Sequence, residues 1–192
     1  MKDLSNQLIV IGASAGGLET VTKILSPLPK AYPIPVVLVQ HRSKENPTLL
    51  EEVLQTKLEL VVSQIEEKTP ILPNHLHVAP ADYHVLIEKD RTFSLSSDEK
   101  VAYSRPAVDV LFESAALVYK ELLTSIILSG ANNDGSNGVK STKSMGGINI
   151  ALNPDHTPFN VMPQCAIDTK CIDHILSLDE ITHFLLIKGG LL

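Results

Sequence analysis

The chain contains no tryptophan and few aromatic residues of any kind, four tyrosines and four phenylalanines in 192 residues. Binding of single-stranded nucleic acid relies on aromatic platforms for the bases, so that class of function is disfavoured. Basic residues are also in deficit. Sixteen Lys and Arg against 22 Asp and Glu give a formal charge of −6, which argues against a nucleic-acid backbone as partner. Two cysteines, Cys165 and Cys171, supply no disulfide framework and read as small buried residues. The early apolar run, Leu8 to Ile11, is too short for a signal-peptide core or a membrane span. A cytoplasmic protein with no membrane insertion is expected.

What the chain has is the balance of an ordinary globular domain, 44% hydrophobic and 20% charged residues, at a length that suits one core. Short apolar runs alternate with segments of helical spacing. "QLIVIG", "PIPVVLVQH", "LELVVSQ", "TSIILSG" and "INIAL" read as strands, most of them buried on both faces. "LETVTKIL" reads as a helix with Leu18, Val21 and Leu25 on one side. "NPTLLEEVLQTKL" reads as a helix capped by Asn46 with Pro47 at its first position. "PAVDVLFESAALVYKEL" has Val108, Leu111, Phe112 and Ala115 at core-facing spacing, and "SNGVKSTKSMGG" is a helix ending at glycines. Ser177 and Glu180 form a capping box at the start of a closing helix. Between residues 70 and 97 the pattern changes to short strands, with a hairpin near Lys89-Asp90-Arg91. The predicted fold is α/β: a doubly wound, mostly parallel sheet with helices on both faces and an antiparallel hairpin. Ligands in such folds sit at the carboxyl ends of the strands.

The first strand runs into Gly12-Ala13-Ser14-Ala15-Gly16-Gly17. One reading is a dinucleotide site. The middle glycine of that fingerprint is here Ser14, and the second strand ends in Gln40-His41-Arg42 with no carboxylate for a ribose, although Arg42 could hold a 2′-phosphate. The other reading is a nucleophile turn, because Gly12-x-Ser14-x-Gly16 has the spacing of a nucleophile elbow. The helix that follows would aim the free amides of Ala15 or Gly16 at an oxyanion. A plain tight turn competes with both.

Partners at other strand ends favour the nucleophile. His41 follows the apolar run "PVVLV" after Gln40, and Asp134 follows "SIILSGANN". Singly, each has a plainer reading, a loop histidine or a cap for a helix starting near Ser136. Together with Ser14 they make a Ser-His-Asp triad, which geometry defines and chain order does not. His75 and His77 share one face of a strand, but no third ligand accompanies them and no metal is expected.

The segments "VIGASAGGLE", "VVLVQHR", "HVAPADYHV", "SRPAVDVLFESAA", "ILSGANNDGSNGVKSTKSMGG" and "VMPQCAID" resemble, in this order, the catalytic domain of chemotaxis-type protein-glutamate methylesterases. The resemblance implies a serine hydrolase that demethylates glutamyl methyl esters of chemoreceptors and, in some members, deamidates receptor glutamines. It assigns Ser14, His41 and Asp134 as the catalytic residues, adds the Ala131 amide as an oxyanion donor, and needs no cofactor. It also places Arg105 at the site, to contact acidic groups of the substrate, and Met162 in the pocket wall. Arg42 and Arg105 would help an acidic chain approach an acidic receptor helix. The implied partners are the cytoplasmic helices of methylated chemoreceptors and a separate regulatory receiver protein. Residues 1–192 are expected to form a single methylesterase domain with no receiver domain. The sequence departs from the family at Ala131-Asn132, where Met-Gly is usual, and at Leu152-Asn153. Two alternatives stay open: a non-catalytic signalling module of the same fold, and a nucleotide-binding α/β domain.

Overall fold

Continuous apolar runs become the central strands because both of their faces are covered. The computed structural model describes residues 4–42 and 49–192. Strands β1 (Leu8–Ala13), β2 (Val36–Gln40) and β7 (Leu123–Ile127) are buried along their whole length. With β3 (Val61–Gln64), β4 (His75–Val78), β8 (Ile148–Leu152) and β9 (His174–Leu176) they form one seven-stranded sheet. Its order is β3-β4-β2-β1-β7-β8-β9, and every pairing is parallel. The antiparallel pair β5 (His84–Ile87) and β6 (Phe93–Ser96) is a separate hairpin, closed through Glu88 to Thr92.

Alternation along β1 divides the core. Ile9, Ile11 and Ala13 face one layer, with Val21 and Ile24 of α1 (Gly17–Leu25), Leu54 of α2 (Leu50–Gln55), and Ile181 and Leu185 of α6 (Leu178–Lys188). Leu8 and Val10 face the other layer. It contains Leu111, Phe112 and Ala115 of α3 (Val108–Tyr119), Val139 of α4 (Ser136–Ser144), Ala166 of α5 (Val161–Asp168), and Val85 and Phe93 of the hairpin.

Several elements differ from expectation. Leu18 is 39% exposed: α1 packs through Val21, Ile24 and Leu25 instead. The strand expected from Leu58 begins only at Val61, Leu58 and Leu60 being core residues ahead of it. The Asn46 cap and Pro47 lie outside the described residues. Helix α5 and strand β9 escaped the pattern reading. Pro163 falls in the first turn of α5, where its missing N–H costs nothing, and β9 is three residues of a sheet edge. Helix α4 does end at glycine, Gly146 at φ 85°, and the Ser177–Glu180 capping box forms.

Among the described residues, no helix is long and apolar enough to cross a membrane. The carboxyl ends of β1, β2 and β7 lie side by side, since β1 pairs with both of the others. Ser14, His41 and Asp134 follow these three strands.

Candidate active site

Ser14 leaves β1 in a turn pinned at both backbone polar atoms. Its N–H donates to Ser129 O (2.8 Å), and its carbonyl accepts from Gly17 N (2.9 Å) and Gln40 Nε2 (2.7 Å). Two glycines are required here. Gly16 has φ 73°, and a Cβ on it would lie 2.8 Å from the Phe159 ring. A Cβ on Gly17 would lie 1.9 Å from Gln40 Oε1. Helix α1 has no side-chain cap, and among the described residues the amides of Ala15 and Gly16 have no protein acceptor. They stand at the positive end of the helix dipole beside Ser14.

His41 is anchored through its own N–H to Ala13 O (2.9 Å). Its Nε2 lies 2.7 Å from Asp134 Oδ2, with the histidine side chain 12% exposed and the aspartate side chain fully buried. A carboxylate only accepts, so Nε2 carries the proton and Nδ1 is the free base nitrogen. Ser104 Oγ lies 3.3 Å from that Nδ1. Among the described residues, no hydrogen bond joins Ser14 Oγ to His41. The structure therefore brings His41 and Asp134 into contact and leaves Ser14 as a neighbour at the adjoining strand end.

The Asp134 carboxylate also accepts Val108 N (2.7 Å) and Asp109 N (2.9 Å), the first two amides of α3. Asp134 thus caps α3, not the helix near Ser136. The cap on α4 comes from Asp109, whose carboxylate accepts the N–H of Asn137 (3.0 Å) and Gly138 (2.8 Å). The two helices cap each other reciprocally. Burial, with the Asp134 charge nearby, raises the Asp109 carboxyl above the ordinary aspartate range against the pull of the Gly138 amide.

The remaining candidates fall in different places. The Ala131 amide has no protein acceptor among the described residues, and the residue is exposed on the loop after β7. Met162 is fully buried and packs under Gly130, so it shapes that loop from below and does not present a surface to substrate. Arg42 is occupied by a two-pronged pair with Glu51 (3.0 and 2.7 Å) and by Ala79 O (2.8 Å), which removes it as a phosphate or substrate ligand. The Arg105 guanidinium is engaged by Asp82 (2.7 and 3.1 Å) and by the carbonyls of Ser97 (2.6 Å) and Asp98 (2.8 Å). Its geometry is that of a clamp on the 97–105 segment.

His75 and His77 stack at 5.4 Å, and burial pushes the His77 pKa down to about 4. Among the described residues, no cluster of three metal-ligating side chains includes them. Both cysteines are free and half-buried, more exposed than expected. A groove of about 600 Å³ opens beside Ser14, lined by Gly16, Leu18, Thr22, Gln40 and Lys57. Leu18 is the helix position misread as core. Gln40, which donates to the Ser14 carbonyl, and Ser104, beside His41, are contacts of the candidate residues that the sequence reading missed. A polar residue ending the "VVLVQ" run was the available signal for Gln40, and Ser104 gave none.

Comparison with known proteins follows the same lines. The family model described as CheB methylesterase matches residues 9–185. A relative from Leptospira interrogans, provisionally named for protein-glutamate methylesterase and protein-glutamine glutaminase activities, is 41% identical over 178 residues. That match covers 93% of this chain and 92% of the relative. The protein-glutamate methylesterase/protein-glutamine glutaminase of Thermotoga maritima is 32% identical over 176 residues, covering 90% of this chain and 51% of that one. The crystal structure of the Thermotoga maritima CheB methylesterase catalytic domain superposes with a TM-score of 0.91 at 31% identity, covering 94% of this chain and 97% of that one.

Proposed function

Because the chain belongs to the CheB methylesterase family, we propose that it hydrolyses glutamyl methyl esters on the cytoplasmic helices of chemoreceptors through Ser14, His41 and Asp134. The observation that carries the reading is the 2.7 Å His41–Asp134 contact at strand ends next to the Ser14 turn. Ser14 Oγ attacks the ester carbonyl while His41 Nδ1 takes the hydroxyl proton. Asp134 stabilises the imidazolium that results. The amides of Ala15, Gly16 and Ala131 are free to bind the tetrahedral oxyanion. His41 returns the proton to the leaving methoxide, methanol departs, and water, activated by the same nitrogen, releases the glutamate. A glutamine side chain enters the same sequence with ammonia as the leaving group, so deamidation needs no second site. Arg105, in this reading, acts on catalysis through the segment it clamps and not on the substrate. A separate receiver protein would act at the loops that carry Ser14, His41 and Asp134.

Methanol release from a methylated receptor fragment tests the reading. Ser14→Ala and His41→Ala each remove most activity, and the double variant loses no more than either single one. Wild-type turnover in Ser14→Ala contradicts it. A pure signalling module releases no methanol at all.

A further inference from the structure

The nitrogen that must receive the Ser14 proton is held in this structure by another serine. Ser104 Oγ lies 3.3 Å from His41 Nδ1. Ser104 is delivered there by a stiff piece of chain. A two-residue turn closes through Ser104 N to Val101 O (2.8 Å) and Val101 N to Ser104 O (3.2 Å), with Ala102 at φ 48° and Tyr103 at φ 62°. Positive φ at both central positions marks a primed hairpin turn, here made without glycine. Arg105 then ties the next residue to Asp82, Ser97 and Asp98.

Asn132 connects Ser104 back to the triad. Its Oδ1 accepts the Asp134 N–H (3.2 Å), and its Nδ2 lies 3.5 Å from both Ser104 Oγ and Ala102 O. The contacts close a ring: Asp134 N–H to Asn132, Asn132 Nδ2 to Ser104, Ser104 to His41 Nδ1, His41 Nε2 to Asp134 Oδ2. Asn132 donates to the Ser104 oxygen and to Ala102 O, and the Ser104 hydroxyl has two acceptors, His41 Nδ1 at 3.3 Å and, farther away, Ala102 O at 3.5 Å. Asp134 accepts from Nε2, so Nδ1 is unprotonated and is the nearer acceptor for the Ser104 hydroxyl.

We propose that Ser104, held by Asn132, is a positioning residue that anchors the Nδ1 side of the His41 ring, keeping the Nε2–H tautomer set by Asp134 aligned with Nδ1 ready as the base. It is not the nucleophile: the free amides at the start of α1 flank Ser14, and Ser104 yields Nδ1 when the Ser14 hydroxyl engages it. The inference rests on the reading of His41 as the general base.

The test pairs kinetics with imidazole ¹⁵N NMR on the intact chain at alkaline pH. Ser104→Ala lowers kcat on a methylated receptor fragment about 3- to 10-fold with KM little changed, the effect of one lost hydrogen bond. In the same variant the His41 Nδ1 resonance moves toward that of an imidazole nitrogen without a donor. Asn132→Ala shifts both readouts the same way by less, and Ser104→Thr, which keeps a hydroxyl, stays within about twofold of wild type in kcat. Unchanged or raised kcat in Ser104→Ala, or an unmoved Nδ1 resonance, overturns the proposal. Loss of all turnover in Ser104→Ala with turnover retained in Ser14→Ala overturns both it and the nucleophile assignment. The resonances are read without substrate, so they decide the ring even where Ser14→Ala shows the nucleophile to be misassigned.

Discussion

Asp134→Asn separates catalysis from capping at a single buried atom pair. In the wild type, Oδ2 serves His41 Nε2 and Val108 N, and Oδ1 serves Asp109 N. An asparagine offers one acceptor and one donor. With its oxygen at the Oδ2 position, the new NH₂ faces the Asp109 N–H and leaves two donors opposed. With its oxygen at the Oδ1 position, the NH₂ faces Val108 N–H and drives His41 into the opposite tautomer, with Nδ1 protonated and useless as a base. Either way one buried amide loses its acceptor, which costs roughly 1–3 kcal/mol. Loss of the anion at the partly buried α3 N-terminus costs about another 1 kcal/mol, offset in part because Asp109 no longer faces a charged neighbour. The expected loss of stability after that offset is about 1–4 kcal/mol. The expected loss of turnover is on the order of 10⁴-fold, from the wrong tautomer in the second orientation and from loss of the carboxylate charge that stabilises the imidazolium in both. Urea unfolding and methanol release measured on the same preparation check both figures. Lower stability with turnover within twofold of wild type would show Asp134 to be a cap alone and would refute the triad reasoning.

Three further outcomes are expected. Gly17→Ala must displace the Gln40 side chain from 1.9 Å, loosening its hold on the Ser14 carbonyl, so kcat falls along with roughly 1–3 kcal/mol of stability in thermal melts. Arg105→Ala lowers kcat several-fold by freeing the segment that carries Ser104, with KM insensitive to salt; a KM that rises mainly at low salt would instead make Arg105 a substrate ligand. His77 has a folded pKa of about 4 against 6.5 for a free histidine, so the unfolded chain binds the extra proton first. Its contribution to stability is therefore complete above about pH 6.5 and falls by roughly 3 kcal/mol as the pH drops to 4, a slope that His77→Gln flattens in urea titrations at stepped pH.

Particular residues show what the sequence made legible. The three catalytic candidates could be found because each lies in the turn or loop after an apolar run, and the strands those runs form end side by side. The parallel sheet was legible because β1 and β2 are nearly continuous apolar runs and β1, β2 and β7 are buried without alternation. Side-chain direction was less accessible. Arg42, Arg105 and Met162 lie in segments close to the site, yet Arg42 points to Glu51, Arg105 to Asp82, and Met162 into the core under Gly130. Nothing in sequence spacing distinguishes a guanidinium that meets substrate from one that ties two loops together. Ser104 was invisible because its partner is 63 residues away in the chain, brought near by a turn whose positive φ values fall on Ala and Tyr instead of Gly and Asn. Asp134 was expected either to orient His41 or to cap the helix near Ser136; the structure shows it against His41 and as the cap of α3 instead.

The most direct test of the central claim is the identity of the nucleophile. A fluorophosphonate ester, which traps activated serines, is incubated with the chain, and the labelled peptide is identified by mass spectrometry. The account predicts one adduct, on the peptide containing Ser14, formed in the wild type and lost in His41→Ala. An adduct on Ser104, or hydrolysis of the receptor methyl ester by a chain whose Ser14 cannot be labelled, would contradict it.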